Sequence, residues 1–354
     1  MRTSRCFFGK SSWKQCAEEL ADDRAMLVID HRIKELYADK LASFKKNFQN
    51  VDEVLVKNPE EKKSLDFVKI LAEKALDFKL NRGDWAVAIG GGAVLDLAGF
   101  FASIYKRGAK LCYLPTTIIA QVDSAYGGKT AVNFGEYKNQ LGSFYPADVI
   151  GIDTSVLRSL PKKEVYNGLG EVAKYVMLQP DDFVDAKGDI ESILNGDISK
   201  YNNLVPLCFR IKEKYVDDDF FDTKGKRVAL NLGHTIGHAI EKQCKHPLGH
   251  GQAVAIGLNF ALFVAFYKGK LGINDATKYY ELLKPILPGI KYSVFTKYVQ
   301  QNLCYDKKAD KDKLVFIYPL AKGWATEKVT LNFLNMCWNK FAEVNGDVGY
   351  FKRG

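Results

Sequence analysis

Several things are scarce in this sequence. Its 354 residues include only five histidines and ten prolines, and the seven cysteines are odd in number and widely scattered. No two of them form a CxxC pair, which excludes a disulfide-stapled scaffold and suits a reducing compartment. No run approaches the ~18 consecutive apolar residues of a membrane span. The opening stretch MRTSRCFFG also lacks the apolar core of a signal peptide, so the expectation is a soluble, cytoplasmic protein with no membrane partner. No block of five like charges carries the basic excess of 51 over 42, net +9, and the lysines sit among acidic neighbours, as in NPEEKK. A dispersed excess favours anionic small molecules and argues against nucleic acid. Internal repeats and low-complexity tracts are absent too.

What remains is ordinary globular material, 47% apolar and 26% charged. At ~150 residues per domain the length suggests about two domains. In the first part, short apolar runs alternate with helical patterns: Ala25–Ile29, Val54–Val56, Ala86–Ile89, Leu111–Leu114 and Val149–Ile152. Strands so spaced predict a parallel sheet, with a helix from Pro59 to Phe78 between the second and third. After Pro161 helical periodicity dominates, over Lys163–Val176, Asn203–Val216, Val228–Cys244, Gln252–Tyr267, Ala276–Leu287, Val294–Leu303 and Thr330–Val344. A strand or hairpin is expected at KLVFIYP. The reading is an α/β N-terminal nucleotide-binding domain, 1–160, and a mostly α-helical C-terminal metal-binding domain, 161–354.

Four constellations carry chemistry. In AVAIGGGAVLD, Ala86–Asp96, a strand runs into three glycines and a helix, where backbone N–H groups can meet a pyrophosphate. The spacing is not GxGxxG. In SAYGGKTAVN, Gly127 and Gly128 precede Lys129, a flexible anion-binding loop that lacks the first glycine of a P-loop. Four of the five histidines, His234, His238, His246 and His250, fall within 17 residues. His234 and His238 are i and i+4 on one helix face, and such a gathering suits Zn²⁺. Finally, Glu171 and Lys174 share a helix face among apolar and small neighbours, which points to burial and to Glu171 as a third metal ligand.

Taken together, GGGAVLDLAGF, YKRG, LPTT, QVDSAYGGKTAVN, YKN, GLGEVAK, LNLGHTIGHAIE, HGQAVAIG and YDKK resemble the dehydroquinate synthase family of sugar phosphate cyclases, in the family's order and near its spacing. The resemblance implies an active site between two domains, a homodimer, catalytic NAD⁺, and Zn²⁺ or Co²⁺. The implied reaction turns 3-deoxy-D-arabino-heptulosonate 7-phosphate, a phosphorylated sugar acid, into 3-dehydroquinate in the shikimate pathway. Rival readings are cyclases making valiolone, inosose or aminodehydroquinate rings, or a metal-dependent polyol dehydrogenase.

Residue by residue, the resemblance implies Glu171, His234 and His250 as metal ligands, moving His238 from the metal to the substrate phosphate. Lys129, Asn139, Asn231 and Lys307 join it there, with no choice made between Lys307 and Lys308, and Arg107 reaches in from a second subunit. Lys214 and Arg227 match the pair holding the substrate carboxylate, which cyclases acting on uncarboxylated sugars lose, with Asp222 as an acidic neighbour. Asp123 and Lys174 match residues near the reacting hydroxyls. For NAD the matches are Asp30, Glu60 and Lys63, then Gly91, Gly92 and Asp96, with Thr116, Thr117, Lys138 and Ser159. Arg32 and Gln252 stand where the family often has Asn and Glu.

Overall fold

A computed structural model describes residues 4–21, 23–241, 248–287, 289, 291–303 and 313–347. The chain divides into two compact units, Met1–Leu160 and Pro161–Gly354. Lys307, Lys308 and His246 lie outside the described residues.

The first unit contains β1 (Arg5–Phe8), α1 (Ser12–Leu20), β2 (Arg24–Asp30), α2 (His31–Leu36), α3 (Ala38–Lys45), β3 (Asn50–Val56), α4 (Pro59–Lys62), α5 (Leu65–Asp77), β4 (Trp85–Gly90), α6 (Gly92–Ile104), β5 (Lys110–Pro115), β6 (Lys129–Phe134), β7 (Tyr137–Phe144) and β8 (Val149–Ile152). Six strands form one sheet in the order β1-β8-β5-β4-β2-β3, every pair parallel. The five expected strands are all in it. Their continuous apolar runs reflect burial on both faces: all six residues of β4 are buried. On one face α1 and α3 pack Trp13, Cys16, Leu20, Leu41 and Phe44 against Leu27, Val87 and Cys112.

The chain leaves β2 for β3 on one side, then returns to place β4 on the other side of β2. That reversal makes a crevice at the carboxyl ends of β2 and β4, the usual binding place in an open parallel sheet. Asp30 closes β2 and Gly90 closes β4.

Two readings in this unit change. The Pro59–Phe78 helix is broken at Lys63, and Ser64 caps the second piece by accepting the Phe67 N–H at 3.3 Å. The glycine-lysine segment is not all loop: Lys129 opens β6, which pairs antiparallel with β7.

The second unit contains α7 (Lys162–Leu178), α8 (Ala186–Leu194), α9 (Tyr201–Asp218), α10 (His234–Glu241), α11 (His250–Tyr267), α12 (Ile273–Leu283), α13 (Thr296–Asn302), the antiparallel pair β9 (Lys313–Pro319) and β10 (Trp324–Thr330), and α14 (Leu331–Glu343). α11 is long and apolar enough to cross a membrane, but 78% of it is buried inside the protein, as a core helix requires. Phe260, Phe263, Trp338 and Phe341 pack ring against ring between α11 and α14, with Phe341 edge to face against Phe260 and Phe263. The five described free cysteines include Cys16, Cys112, Cys208 and Cys337, all buried.

The expected helix over Val228–Cys244 is interrupted. A 3₁₀ turn over Arg227–Asn231 ends at Leu232, and α10 begins only after Gly233, whose φ of +79° is a left-handed value disfavoured for any residue with a Cβ.

Candidate active site and its relatives

The ligand set of the second unit is assembled by helix contacts without side chains. A Cβ on Gly170 would lie 2.0 Å from the Gly251 carbonyl oxygen, and one on Gly251 would lie 1.7 Å from that of Asn167. Glycine at both places lets α7 and α11 touch backbone to backbone, and each is the neighbour of a candidate ligand, Glu171 or His250. A Cβ on Gly257 would likewise lie 1.9 Å from the Gly233 carbonyl oxygen, so α10 is equally close and brings His234.

Three donor atoms converge as a result. His250 Nε2 is 3.0 Å and His234 Nε2 3.4 Å from Glu171 Oε1. The far side of each ring is fixed. His234 Nδ1 lies 3.1 Å from the Leu232 carbonyl oxygen, and His250 Nδ1 lies 3.0 Å from Glu241 Oε2. Both Nδ1 atoms face acceptors, so that network assigns the proton to Nδ1 and the lone pair to Nε2. An imidazole backed by a carboxylate or carbonyl is the usual setting of a metal-ligating histidine.

Glu171 is fully buried, and neither carboxylate oxygen accepts a hydrogen bond of good geometry, although ionic partners stand within 4 Å. Those oxygens are directed at the imidazoles without being satisfied by them. Ligand bonds of about 2.1 Å at a tetrahedral angle separate donor atoms by about 3.4 Å, close to the spacings here. One carboxylate and two neutral imidazoles are also a donor set that Zn²⁺ or Co²⁺ accepts. The residues therefore fit a divalent cation. A second group, His238, Glu241 and His250, also meets the spacing, but His238 is exposed and Glu241 backs His250.

The electrostatics agree. Burial alone would raise the Glu171 pKa, but the Lys174 ammonium and the His234 and His250 imidazoles hold it well below the usual carboxylate range. Lys174 itself is 1% exposed, 2.7 Å from Glu171 Oε2 and 4.6 Å from the Tyr175 ring centre. Desolvation pulls the His250 pKa down, yet the Glu171 and Glu241 carboxylates beside it outweigh that and raise it to about 10. A bound cation would compete with that proton for Nε2. His238 lies outside the three, its ring centre 5.3 Å from that of His234.

Elsewhere in this unit Arg227 is buried, and its Nη1 donates to the Phe220 carbonyl at 2.8 Å. The turn before it is organised by Asp219, which the sequence reading missed. Its carboxylate accepts N–H bonds from Thr223, Lys224, Lys226 and Arg227 at 2.8–3.5 Å. Burial would raise its pKa; the four donors win and lower it. Asp222, the expected acidic neighbour, is exposed. Lys214 is exposed as well, whereas Lys212 is buried, five in a hundred of its surface remaining accessible. The signal was in the sequence, since Lys212 is i+4 from Cys208 and i+8 from Leu204 on the buried stripe of α9. Asn231 ends the 3₁₀ turn, half-buried.

In the first unit Asp30 caps α2, accepting from the Arg32 backbone N–H at 3.0 Å and from its guanidinium at 3.2 and 2.8 Å. Gly91 and Gly92 open α6 beside the crevice, close to Thr117 and Ser124; Thr116 donates its N–H to Gly90 at 2.9 Å. Asp123 lies in a π-helical turn, Ala120–Ser124. Lys63 is brought to Asp96 at 2.6 Å and to the Asn139 side-chain oxygen. Lys138 stands 3.8 Å from Glu60, and Ser159 accepts from the Tyr37 hydroxyl at 2.9 Å. Lys129 is exposed, as is Arg107, which with Lys106 forms two successive left-handed residues at φ 65° and 46°.

A parallel-sheet unit with a glycine-opened helix at its reversal point, followed by a helical unit with one buried carboxylate and two oriented imidazoles, has the fold of solved sugar phosphate cyclases. A solved 2-deoxy-scyllo-inosose synthase, crystallised with carbaglucose-6-phosphate, NAD⁺ and Co²⁺, superposes with a TM-score of 0.83 at 25% identity over 95% of this chain and 96% of that one. Within the class the chain belongs to the 3-dehydroquinate synthase family: the family's N-terminal model matches residues 53–167 and its C-terminal model residues 168–309. The 3-dehydroquinate synthase of Natranaerobius thermophilus is 37% identical over 85% of this chain and 84% of its own length. That of Desulforamulus reducens is 35% identical over 87% of each.

Proposed function

We propose that the chain is a 3-dehydroquinate synthase, a carbon–oxygen lyase converting 3-deoxy-D-arabino-heptulosonate 7-phosphate to 3-dehydroquinate and phosphate, as a cytoplasmic homodimer in the shikimate route. The observation that carries the chemistry is the convergence of Glu171 Oε1, His234 Nε2 and His250 Nε2, with both imidazoles held from behind. When bound, a Zn²⁺ or Co²⁺ ion there polarises substrate hydroxyls as a Lewis acid, and NAD⁺ accepts and returns a hydride.

The chain's own residues divide the remaining work. Lys174, buried against Glu171, keeps that carboxylate ionised and, with Asp123, serves the reacting hydroxyls. His238, Asn231, Lys129, Asn139 and Lys307 hold the phosphate and stabilise charge on it as its C–O bond breaks; Arg107 does so for a second subunit. Arg227 binds the substrate carboxylate, and we assign its partner to Lys212 in place of exposed Lys214, because a buried ammonium keeps more of its attraction than one in water. Asp30, Glu60, Lys63, Gly91, Gly92, Asp96, Thr116, Thr117, Lys138 and Ser159 form the NAD pocket around the β2–β4 crevice.

The test is a substrate panel with Zn²⁺ and NAD⁺, scored by phosphate release. The proposal expects turnover of 3-deoxy-D-arabino-heptulosonate 7-phosphate and none of sedoheptulose 7-phosphate or glucose 6-phosphate. Turnover of either uncarboxylated sugar, with silence on the first, would overturn it.

A further inference from the structure

The β6–β7 hairpin is irregular near its turn. Val132 faces Leu141 and Phe134 faces Tyr137, so Asn133 alone on β6 stands against Lys138, Asn139 and Gln140, and the extra residues bulge from β7. Asn133, opposite that bulge, is bonded on several sides. Its backbone N–H donates to the Lys63 carbonyl at 2.8 Å, and Ser64 bridges to it in parallel. Its side-chain Oδ1 accepts the Asn139 N–H at 3.0 Å, and its Nδ2 donates to Glu60 Oε1 at 3.3 Å.

The contacts with Lys63, Asn139 and Glu60 end on residues with proposed roles. Asn139 has a left-handed φ of 55°, which asparagine adopts more readily than most residues with a Cβ, and its N–H donates to Asn133 Oδ1, which fixes it there. Lys63 closes the circuit, because its ammonium is shared between Asn139 Oδ1 and Asp96 Oδ2. Asn133 thus bonds Glu60, the Lys63 carbonyl and Asn139, and Lys63 in turn joins Asn139 to Asp96.

We propose that Asn133 is a positioning residue shared by the NAD pocket and the phosphate-holding Asn139, one side-chain end setting each site. This rests on the assignment of Glu60, Lys63 and Asp96 to NAD and of Asn139 to the substrate phosphate. Its two side-chain ends act separately. The oxygen fixes Asn139 and thereby the phosphate site, while the amide N–H fixes Glu60 and thereby the cofactor.

Two variants of the full-length, zinc-loaded protein separate the ends. NAD⁺ dissociation constants come from calorimetry, the KM for substrate from phosphate release, and folding from the thermal midpoint. Asn133→Ala removes both ends and is expected to raise the NAD⁺ Kd and the substrate KM each by about five- to tenfold, the scale of a lost hydrogen bond, with kcat changing less. Asn133→Asp keeps the acceptor for Asn139 but sets a carboxylate against Glu60. It is expected to raise the NAD⁺ Kd by about tenfold or more while KM stays within about twofold. That split is a signature general loosening does not give, and it is read from the aspartate variant alone should the alanine variant not fold. Wild-type constants in either variant, or equal rises of both constants in the aspartate variant, overturn the assignment of one end to each site. Failure of the unmodified protein to bind NAD⁺ overturns instead the assignment beneath it.

Discussion

Gly170→Ala adds a single methyl group, and the geometry sets its cost. The new Cβ would lie 2.0 Å from the Gly251 carbonyl oxygen, about 1.4 Å inside an ordinary contact of about 3.4 Å. Both atoms belong to backbone, so no rotamer change relieves the clash and α7 must move away from α11. Overpacking of this kind costs about 1–3 kcal/mol, and rigid partners place it at the upper end. Opposing it, alanine is better than glycine inside a helix by about 1 kcal/mol. The net loss of about 2 kcal/mol should lower the melting point of the helical unit by about 4–8 °C. The same movement separates Glu171 from His250, whose donor atoms stand 3.0 Å apart, when ligand distances tolerate only about ±0.2 Å. Zinc affinity should therefore fall by more than tenfold, measured by competition with a chromogenic chelator beside a thermal melt. A variant that binds zinc like the parent and melts at the same or a higher temperature would refute the argument that bare backbone contact aligns the ligands.

Glu241→Gln weakens the acceptor behind His250 Nδ1 and should cost about 10–100-fold in metal affinity, read by the same chelator competition, with little change in melting. Lys212→Met should raise the KM for the carboxylated substrate at least tenfold and Lys214→Met should not; equal effects would remove the burial argument. Asp219→Asn should loosen the turn before Arg227 and raise that KM as well. Because the folded Asp219 pKa is lowered, its stabilising contribution is present above the ordinary carboxylate pKa and is lost as pH falls through the lowered value. The melting difference between Asp219→Asn and the parent should be constant near neutrality and shrink only below about pH 4.

The sheet was legible because doubly buried strands read as unbroken apolar runs, as in β4 and β5. The β6–β7 hairpin was not, since Tyr137, Phe144 and the polar residues between them are mostly exposed and show no alternation against a core. β1 is four residues long with two exposed ends, too short for a pattern to emerge. Periodicity also continued across two interruptions it could not sense, at Lys63 and at Gly233, where the chain turns without losing its apolar spacing. The second matters for the site, because the spacing of His234 and His238 gave them equal claim to a metal. Burial separates them: His234 packs against Glu171, while His238, one turn on, stays exposed. Resemblance assigns His234 to the metal as well; for the carboxylate it matches Lys214, which is exposed, and we propose buried Lys212 in its place. Asp219 and Asn133 were invisible for a common reason, that each accepts the backbone N–H of a residue singled out for another role, Arg227 and Asn139.

The most direct test of the proposed chemistry is the stoichiometry of cofactor to product. With the zinc-loaded protein, one equivalent of NAD⁺ and a hundredfold excess of 3-deoxy-D-arabino-heptulosonate 7-phosphate, phosphate release and absorbance at 340 nm are followed together. A cyclase that regenerates its cofactor releases phosphate far beyond one equivalent while the NADH absorbance stays flat. Absorbance that climbs to one equivalent and stops, with no phosphate released, would contradict the account and mark the chain as a metal-dependent polyol dehydrogenase.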